Sequence, residues 1–250
     1  MSELQPDLAP AASMGEELPA YRPVCVSAVA GFLLALAAPL ALLHPVMWGL
    51  PIVAAAVCGF ALHVLSRSEP MAGGGVARFG LVLSLVFAAW APIRAYSYDF
   101  LMRRDADRFA ELWFSLLRQN EPHKAFQLSQ PPGERSPLDD ELWAAYRARP
   151  AQRQGLEAYV QQPLVRTLLA LGDRATVRRF AVQAAASDRT QDGVDAVYAV
   201  TWDDAGARKT FFVRLLMGRN LLPSEGPREW HINKADGGYR PVALGGKADR

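Results

Sequence analysis

Residues 24–43 read VCVSAVAGFLLALAAPLALL, and no side chain in this stretch carries a charge. An α-helix rises 1.5 Å per residue, so about 20 such residues cross a hydrocarbon core about 30 Å thick. The pair His44-Pro45 then interrupts the pattern. The stretch predicts a first membrane span from Val24 to Leu43, and the rest of the chain is interpreted from that starting point.

Two further apolar stretches follow the first. Residues 46–65 read VMWGLPIVAAAVCGFALHVL, and residues 76–93 contain a single charged residue, Arg78, whose aliphatic stem can reach the membrane interface. Buried helices of water-soluble proteins are rarely so long and so free of charge, and a signal peptide would explain the first stretch alone. The sequence therefore predicts about three spans and a multi-pass membrane protein whose first partner is the lipid bilayer.

The apolar half and the charged half divide the chain into four predicted parts. Residues 1–22, rich in Pro, Ala and Glu, are predicted to be a disordered tail, and residues 23–94 a transmembrane domain. Residues 95–240 are predicted to form a soluble α+β domain whose first helix continues from the third span. Residues 241–250 are predicted to be a second disordered tail.

Apolar residues at helical spacing predict helices in the first part of the soluble domain. The predicted helices cover Arg94 to Asn120 and about Pro122 to Leu128, then a helix capped by Ser136, and last Leu156 to Leu171 with an interruption at Pro163. Gly172 is expected to end the last of them.

The period changes to two after Gly172, which predicts strands. Alternation is clearest from Val194 to Trp202 and from Phe211 to Met217, with a hairpin turn at Asp203-Asp204-Ala205-Gly206 between them. A further strand is predicted around Trp230 and Ile232. Helices followed by a meander of about four antiparallel strands indicate an α+β domain with the helices packed on one face of the sheet.

Charge and cysteine content narrow the function classes. Four of the 27 basic residues and six of the 25 acidic residues precede residue 102, so 23 basic and 19 acidic residues lie after it. That excess is small and interspersed, which argues against a nucleic-acid partner. Both cysteines, Cys25 and Cys58, lie in the apolar half, so the soluble domain has no thiol chemistry.

The stretch GFALHVLSRSEPMAGGGVARFGLVLSLV, residues 59–86, resembles a small bacterial multi-pass membrane domain of unknown function. The matching positions are Gly59, Ala61, Leu62 and His63, then Gly73 to Gly75, Gly80 and Leu81. The sequence departs from the family pattern because His63 follows Ala-Leu here. That family has its glycine loop in the cytoplasm, so the resemblance implies that the C-terminal domain lies outside it.

The C-terminal half resembles the nuclear-transport-factor-like or cystatin-like cone, in which a curved sheet wraps a long helix. The opening helix ADRFAELWFSLLRQNEPHKAFQLS, residues 106–129, looks like the start of such domains in bacterial membrane-anchored proteins. This resemblance implies a pocket inside the cone in some members, and it assigns no catalytic residue.

No catalytic, metal-binding or cofactor-binding residue is predicted, because the four histidines lack metal-ligand spacing and no phosphate loop or nucleophile motif occurs. One set of residues is a candidate pocket lining: Trp113, Tyr198, Trp202, Trp230 and His231. Ordinary core packing is the favoured reading of its aromatic members. Strand parity also places Trp230 and His231 on opposite faces.

The leading hypothesis is a membrane-anchored, non-enzymatic module that binds a protein partner or a small ligand outside the cytoplasm. The first alternative is a cone-fold enzyme with a small pocket near His231, and the second places the soluble domain in the cytoplasm. Basic residues flanking the predicted spans number three on one side and four on the other, so they do not fix the orientation. Transport is the weakest hypothesis, since His63 and Arg78 are the only titratable side chains in the predicted spans apart from the two cysteines.

Overall fold

The computed structural model describes residues 23–67, 72–139, 141–188, 190–222 and 227–241. The predicted tail 1–22 lies outside the described residues, as does all of the predicted tail 241–250 except Pro241. The chain divides into two compact units, Met1–Tyr96 and Ser97–Arg250. Each unit is considered by itself.

The first unit is helical. Helix α1 covers Val26–Leu36, and α2 covers Gly49–Arg67 after a short 3-10 helix at Pro45–Trp48. Helix α3, Gly74–Arg118, is a continuous helix of 45 residues that begins in the first unit and ends in the second. Two helical stretches, Pro45–Arg67 and Gly74–Arg118, are long and apolar enough to cross a membrane.

The first predicted span differs from the structure. Helix α1 ends at Leu36, and residues Ala38–Leu42 form a 3-10 helix instead. Pro39 explains the change, because it has no amide to donate to the Ala35 carbonyl and its ring would clash with that group. The Leu40 amide donates to the Ala37 carbonyl at 3.1 Å, which is the tighter 3-10 pattern. This segment is therefore shorter than the predicted 24–43 span.

Small residues form the contacts among the helices of the first unit. The buried positions on these helices are Ala28, Gly31, Ala35, Ala54, Cys58, Ala61, Ala77 and Ser84. The exposed positions are large and apolar, among them Leu33, Leu36, Ile52, Phe60, Phe79, Val82, Leu85 and Ile93. A Cβ on Gly31 would lie 2.7 Å from Cys58 Sγ, and one on Gly80 would lie 2.9 Å from the same atom. The three helices thus meet closely at Cys58.

Four short helices follow α3 in the second unit. They are α4 at Pro122–Gln127, α5 at Leu142–Ala148, α6 at Pro150–Gln161 and α7 at Pro163–Leu171. The predicted interruption at Pro163 is confirmed, and so is the end at Gly172, which has φ 53°. The predicted cap at Ser136 is wrong, because its amide donates to Gln127 Oε1 at 2.9 Å and the helix begins only at Leu142.

Four antiparallel strands complete the second unit in the order β1-β2-β3-β4. They cover Thr176–Ser187, Gln191–Asp204, Ala207–Asn220 and Trp230–Gly237. The predicted order of helices followed by an antiparallel sheet is confirmed, and so is the β2–β3 hairpin. Its turn has Ala205 at φ 51° and Gly206 at φ 84°, the conformation that two-residue hairpins favour.

The sheet bends around the helices. Register shifts occur between Arg179 and Ala181 and between Val182 and Ala184 on β1, and another occurs between Leu216 and Met217 in the β3–β4 pairing. Each such bulge bends its strand and increases the local twist. The inner face carries the predicted alternating residues, which are buried: Val194, Ala196, Tyr198, Val200, Val213, Leu215 and Met217. They share one core with the α3 side chains Met102, Ala106, Ala110, Trp113, Phe114 and Leu117.

Candidate functional site: a groove between α3 and β4

Two of the five residues considered as a pocket lining belong to the core. Trp113 is fully buried, and its indole Nε1 donates to the Tyr159 hydroxyl at 2.9 Å. Tyr198 is also buried, and its hydroxyl donates to Asp107 Oδ1 at 3.0 Å. Both rings contact Phe114, with ring centroids 4.9 Å and 5.3 Å away. The interior between α3 and the sheet is filled at these positions.

Burial and the adjacent Asp107 carboxylate raise the pKa of Tyr198 above its ordinary value, so the phenol stays protonated and acts as a hydrogen-bond donor. The Arg179 guanidinium contacts the other oxygen of Asp107. This arrangement fixes α3 against β1 and β2. It offers a structural reason for the polar group inside the core.

The other three residues lie far from this pair or from one another. Trp202 pairs with Lys209 near the start of β3, and Trp230 pairs with Arg219 near its end. Ten residues of strand separate those positions, a distance of up to roughly 33 Å. His231 points to the face opposite Trp230, as strand parity predicts, beside Gly218. The five residues therefore do not line one pocket.

A buried charged cluster ties α3 to the end of the sheet. Asp192 on β2 is fully buried and accepts from the Tyr98 hydroxyl at 2.8 Å and from Arg219 Nη2 at 2.6 Å. Arg219 also lies 3.7 Å from Asp105 on α3 and 4.7 Å from the centre of the Trp230 ring. We refer to Tyr98, Asp105, Asp192 and Arg219 as the clasp. Its partners satisfy the Asp192 charge, as a buried carboxylate requires.

A groove of about 620 Å³ opens between α3, the 128–138 segment and β4. Its apolar lining includes Phe109, Leu112, Pro132, Pro137, Leu138 and Trp230. Leu112 is 43% exposed and Leu138 is 39% exposed, so two large apolar side chains face solvent across the same groove. This volume is within the usual range for ligand sites, roughly 300–1,000 Å³. We refer to this depression as the α3–β4 groove.

Arg135 holds one wall of the groove in place. Its guanidinium donates to the carbonyls of Leu128 and Gln130 at 3.2 Å and 3.1 Å, and to the Trp230 carbonyl at 2.5 Å. Its Nη1 also lies 3.3 Å from the Glu229 carboxylate. Burial lowers the pKa of Arg135 from its usual value, and Glu229 opposes that shift. One side chain thus joins the 128–135 segment to β4.

The outward edge of β4 is occupied beside the groove. The Ile232 amide donates to the Leu128 carbonyl at 3.0 Å, and the Trp230 carbonyl accepts from Arg135. An added strand needs free main-chain donors and acceptors on an edge. The β4 edge does not offer them at these two residues.

Two donors at the groove remain available. Trp230 is 7% exposed, and its buried Nε1 has no hydrogen-bond acceptor among the described residues. Arg228 is exposed at the same groove and forms no ion pair with any residue that the structure describes. A buried indole N–H normally has an acceptor. The groove therefore combines apolar walls with two unmatched donors.

The sequence gave little indication of this groove. The helical pattern assigned Leu112 to the buried face of α3, whereas the structure exposes it. Arg135, Leu138 and Arg228 lie in segments without periodicity, so no local pattern distinguishes them. Only Trp230 belonged to the candidate set.

No group of three or more His, Cys, Asp or Glu side chains suited to a metal ion occurs in the described parts of the chain. His231 is half-buried, and burial together with the nearby Arg135 charge lowers its pKa from the usual value. Comparisons of the chain with protein-family models, with curated proteins and with solved structures found no match.

Proposed function

We propose that this chain is a membrane-anchored, non-enzymatic binding module, in which the apolar helices hold the protein in a lipid bilayer and the second unit presents the α3–β4 groove to a ligand. The observation that carries the membrane part is the distribution of residue sizes in the first unit. Small side chains fill the helix contacts and large apolar side chains face outward. A water-soluble bundle has the reverse arrangement, whereas membrane helices pack through small residues and expose large apolar ones to lipid.

About three spans form part of this proposal. The α-helical 11 residues and the 3-10 segment of five residues after it extend roughly 27 Å together. That length approaches the hydrocarbon thickness of about 30 Å. The longer rise of the 3-10 segment thus partly offsets the early end of α1.

The second unit is proposed to lie outside the cytoplasm. The support is the resemblance of residues 59–86 to a bacterial domain whose glycine loop is cytoplasmic, together with the absence of cysteine after Cys58. With one span between the loop and the second unit, the two would lie on opposite sides.

A binding role has more support than a catalytic one. The interior of the second unit is occupied by Trp113, Phe114 and Leu117, and His231 does not share a face with Trp230. The α3–β4 groove, by contrast, is open and has apolar walls with unmatched donors. Such a combination matches recognition of a ligand by contact and hydrogen bonding.

Compartment-sensitive reporters at three positions test the anchoring and its orientation. They are placed before Met1, after Ala72 and after Pro241, each in an otherwise full chain. Three spans predict the first two reporters in the cytoplasm and the third outside it. If α1 does not span, the N-terminal and C-terminal reporters share a side. Cytoplasmic signals at all three positions, with the protein released by an alkaline wash, would refute the membrane anchor.

A further inference from the structure

We infer that the α3–β4 groove binds a long-chain fatty carboxylate, with its acyl chain against the apolar walls and its carboxylate at Arg228 and the Trp230 indole N–H. This inference rests on the proposed function, because a bilayer around the first unit is the source of such a ligand. It goes further by naming the chemical class that the groove recognises.

The polar end of the groove matches one anionic group. Arg228 offers a guanidinium that can hold a carboxylate through two parallel hydrogen bonds. Trp230 adds a buried N–H that lacks an acceptor among the described residues. Glu229 is engaged by Arg135, so its charge does not oppose an anion at Arg228 to the full extent. The groove thus provides donors at one end without a matching acceptor.

The remaining lining matches a flexible apolar chain. Phe109 and Leu112 come from α3, and Pro132, Pro137 and Leu138 come from the 128–138 segment. Covering the exposed faces of Leu112 and Leu138 removes apolar surface from water, which is favourable in proportion to the area. No polar side chain of the ligand is needed along these walls.

The occupied edge of β4 separates this ligand from an extended peptide. A peptide strand would need the Ile232 amide and the Trp230 carbonyl, and both already have partners. A fatty carboxylate has no backbone to satisfy. Its recognition requires only the apolar contact and the donors that the groove leaves open.

The test uses the full chain in lipid nanodiscs and a palmitate that carries a photoactivatable diazirine on its acyl chain. After irradiation, the labelled peptides are mapped by mass spectrometry. The expected labels lie on peptides that contain Leu112 or Leu138, and unlabelled palmitate competes for them while methyl palmitate does not. Arg228→Ala should reduce this labelling about tenfold, in line with the loss of a charge-assisted pair.

Two further variants complete the design. Leu138→Asp changes an exposed side chain, so the fold is kept, and it should remove groove labelling as well. Arg208→Ala removes an exposed arginine of β3 that does not line the groove, and it should label like the original chain. Labelling that is equal in all variants, or equal competition by methyl palmitate, would overturn the inference.

Labels on the apolar helices of the first unit report lipid exposure independently. If those labels appear and the groove stays unlabelled, the fatty carboxylate inference fails while the membrane anchor stands. If neither region is labelled, the proposed anchoring itself fails.

Discussion

Asp192 should be among the most sensitive residues of the second unit. Replacing it with alanine removes the carboxylate that accepts from Tyr98 and from Arg219. Arg219 would stay charged and largely buried, with 18% of its side chain exposed. Breaking a buried pair by removing one partner destabilises a protein by about 3–5 kcal/mol.

The lower end of that range applies here. Arg219 keeps Asp105 at 3.7 Å, and the Asp105 side chain is 45% exposed, so part of the charge is still compensated. We therefore expect Asp192→Ala to lower the free energy of unfolding of the second unit by about 3 kcal/mol. With a urea dependence of about 2 kcal/mol per molar, the unfolding midpoint falls by about 1.5 M.

The measurement is urea unfolding of the full chain in nanodiscs, followed by tryptophan fluorescence, since Trp113 is fully buried in the second unit. The matched control is Asp204→Ala, whose carboxylate pairs with Lys209 while both side chains are 53% exposed. Exposed pairs contribute roughly 0–1 kcal/mol, so the control should barely change the midpoint.

A double-mutant cycle separates the pair from general damage. Once Arg219→Met has removed the buried guanidinium, the further change Asp192→Ala should be at least about 1 kcal/mol less destabilising than in the original chain. If Asp192→Ala shifts the midpoint no more than Asp204→Ala does, the clasp does not stabilise the second unit and the reasoning is refuted.

Three other predictions concern packing, the groove wall and pH. Gly80→Ala should lower the thermal stability of the first unit by about 1–3 kcal/mol through overpacking against Cys58, and Cys58→Ala should partly relieve it; Gly59→Ala, with no atom within 4 Å of the new Cβ, is the control and should show no such loss. Arg135→Lys should reduce the unfolding free energy by about 2 kcal/mol, because an ammonium cannot serve the three carbonyls and Glu229 together, and an unchanged urea midpoint would contradict this. Burial lowers the pKa of His123 from 6.5, so the unfolded chain takes up the proton first and stability should fall as the pH drops below about 6.5; urea midpoints at pH 7.5 and 5.0 should differ less in His123→Gln, and an equal difference would exclude His123 as the cause.

The strands of the second unit could be predicted because their signals are local. The alternation from Val194 to Trp202 needs only one buried face, and the turn at Ala205-Gly206 needs two adjacent residues that tolerate positive φ. The continuation of α3 beyond the apolar stretch was also predictable, since its apolar residues keep a helical period. These features depend on neighbours within a few positions.

The failed cap at Ser136 has the opposite cause. Its residue types match a helix start, but the Gln127 side chain binds the Ser136 amide from nine residues away. Asp139 then accepts from the Glu141 amide at 3.1 Å, and the helix begins after that turn. A tertiary hydrogen bond therefore overrode a local preference of about 1 kcal/mol.

The clasp and the Arg135 contacts show why the site itself was not predictable. Tyr98 and Asp192 are 94 residues apart in sequence, and Arg135 and Trp230 are 95 apart. Neither pair repeats, alternates or follows a motif, so each could be recognised only after the sheet had brought β2 and β4 beside α3. Charged residues at isolated positions are read from sequence as solvated, yet two of these are the most enclosed charges of the second unit among the side chains described.

The first unit illustrates a different division between sequence and structure. Composition alone predicted apolar spans, but a buried helix of a soluble protein can have the same composition. The direction of the side chains separates the two cases, because Leu33, Phe60 and Val82 face outward while Ala35 and Cys58 face the helix contacts. Water would penalise that arrangement by the full apolar area left exposed, whereas lipid would not. The argument for a membrane therefore rests on which side chains are exposed, and this is the feature that labelling of the first unit measures.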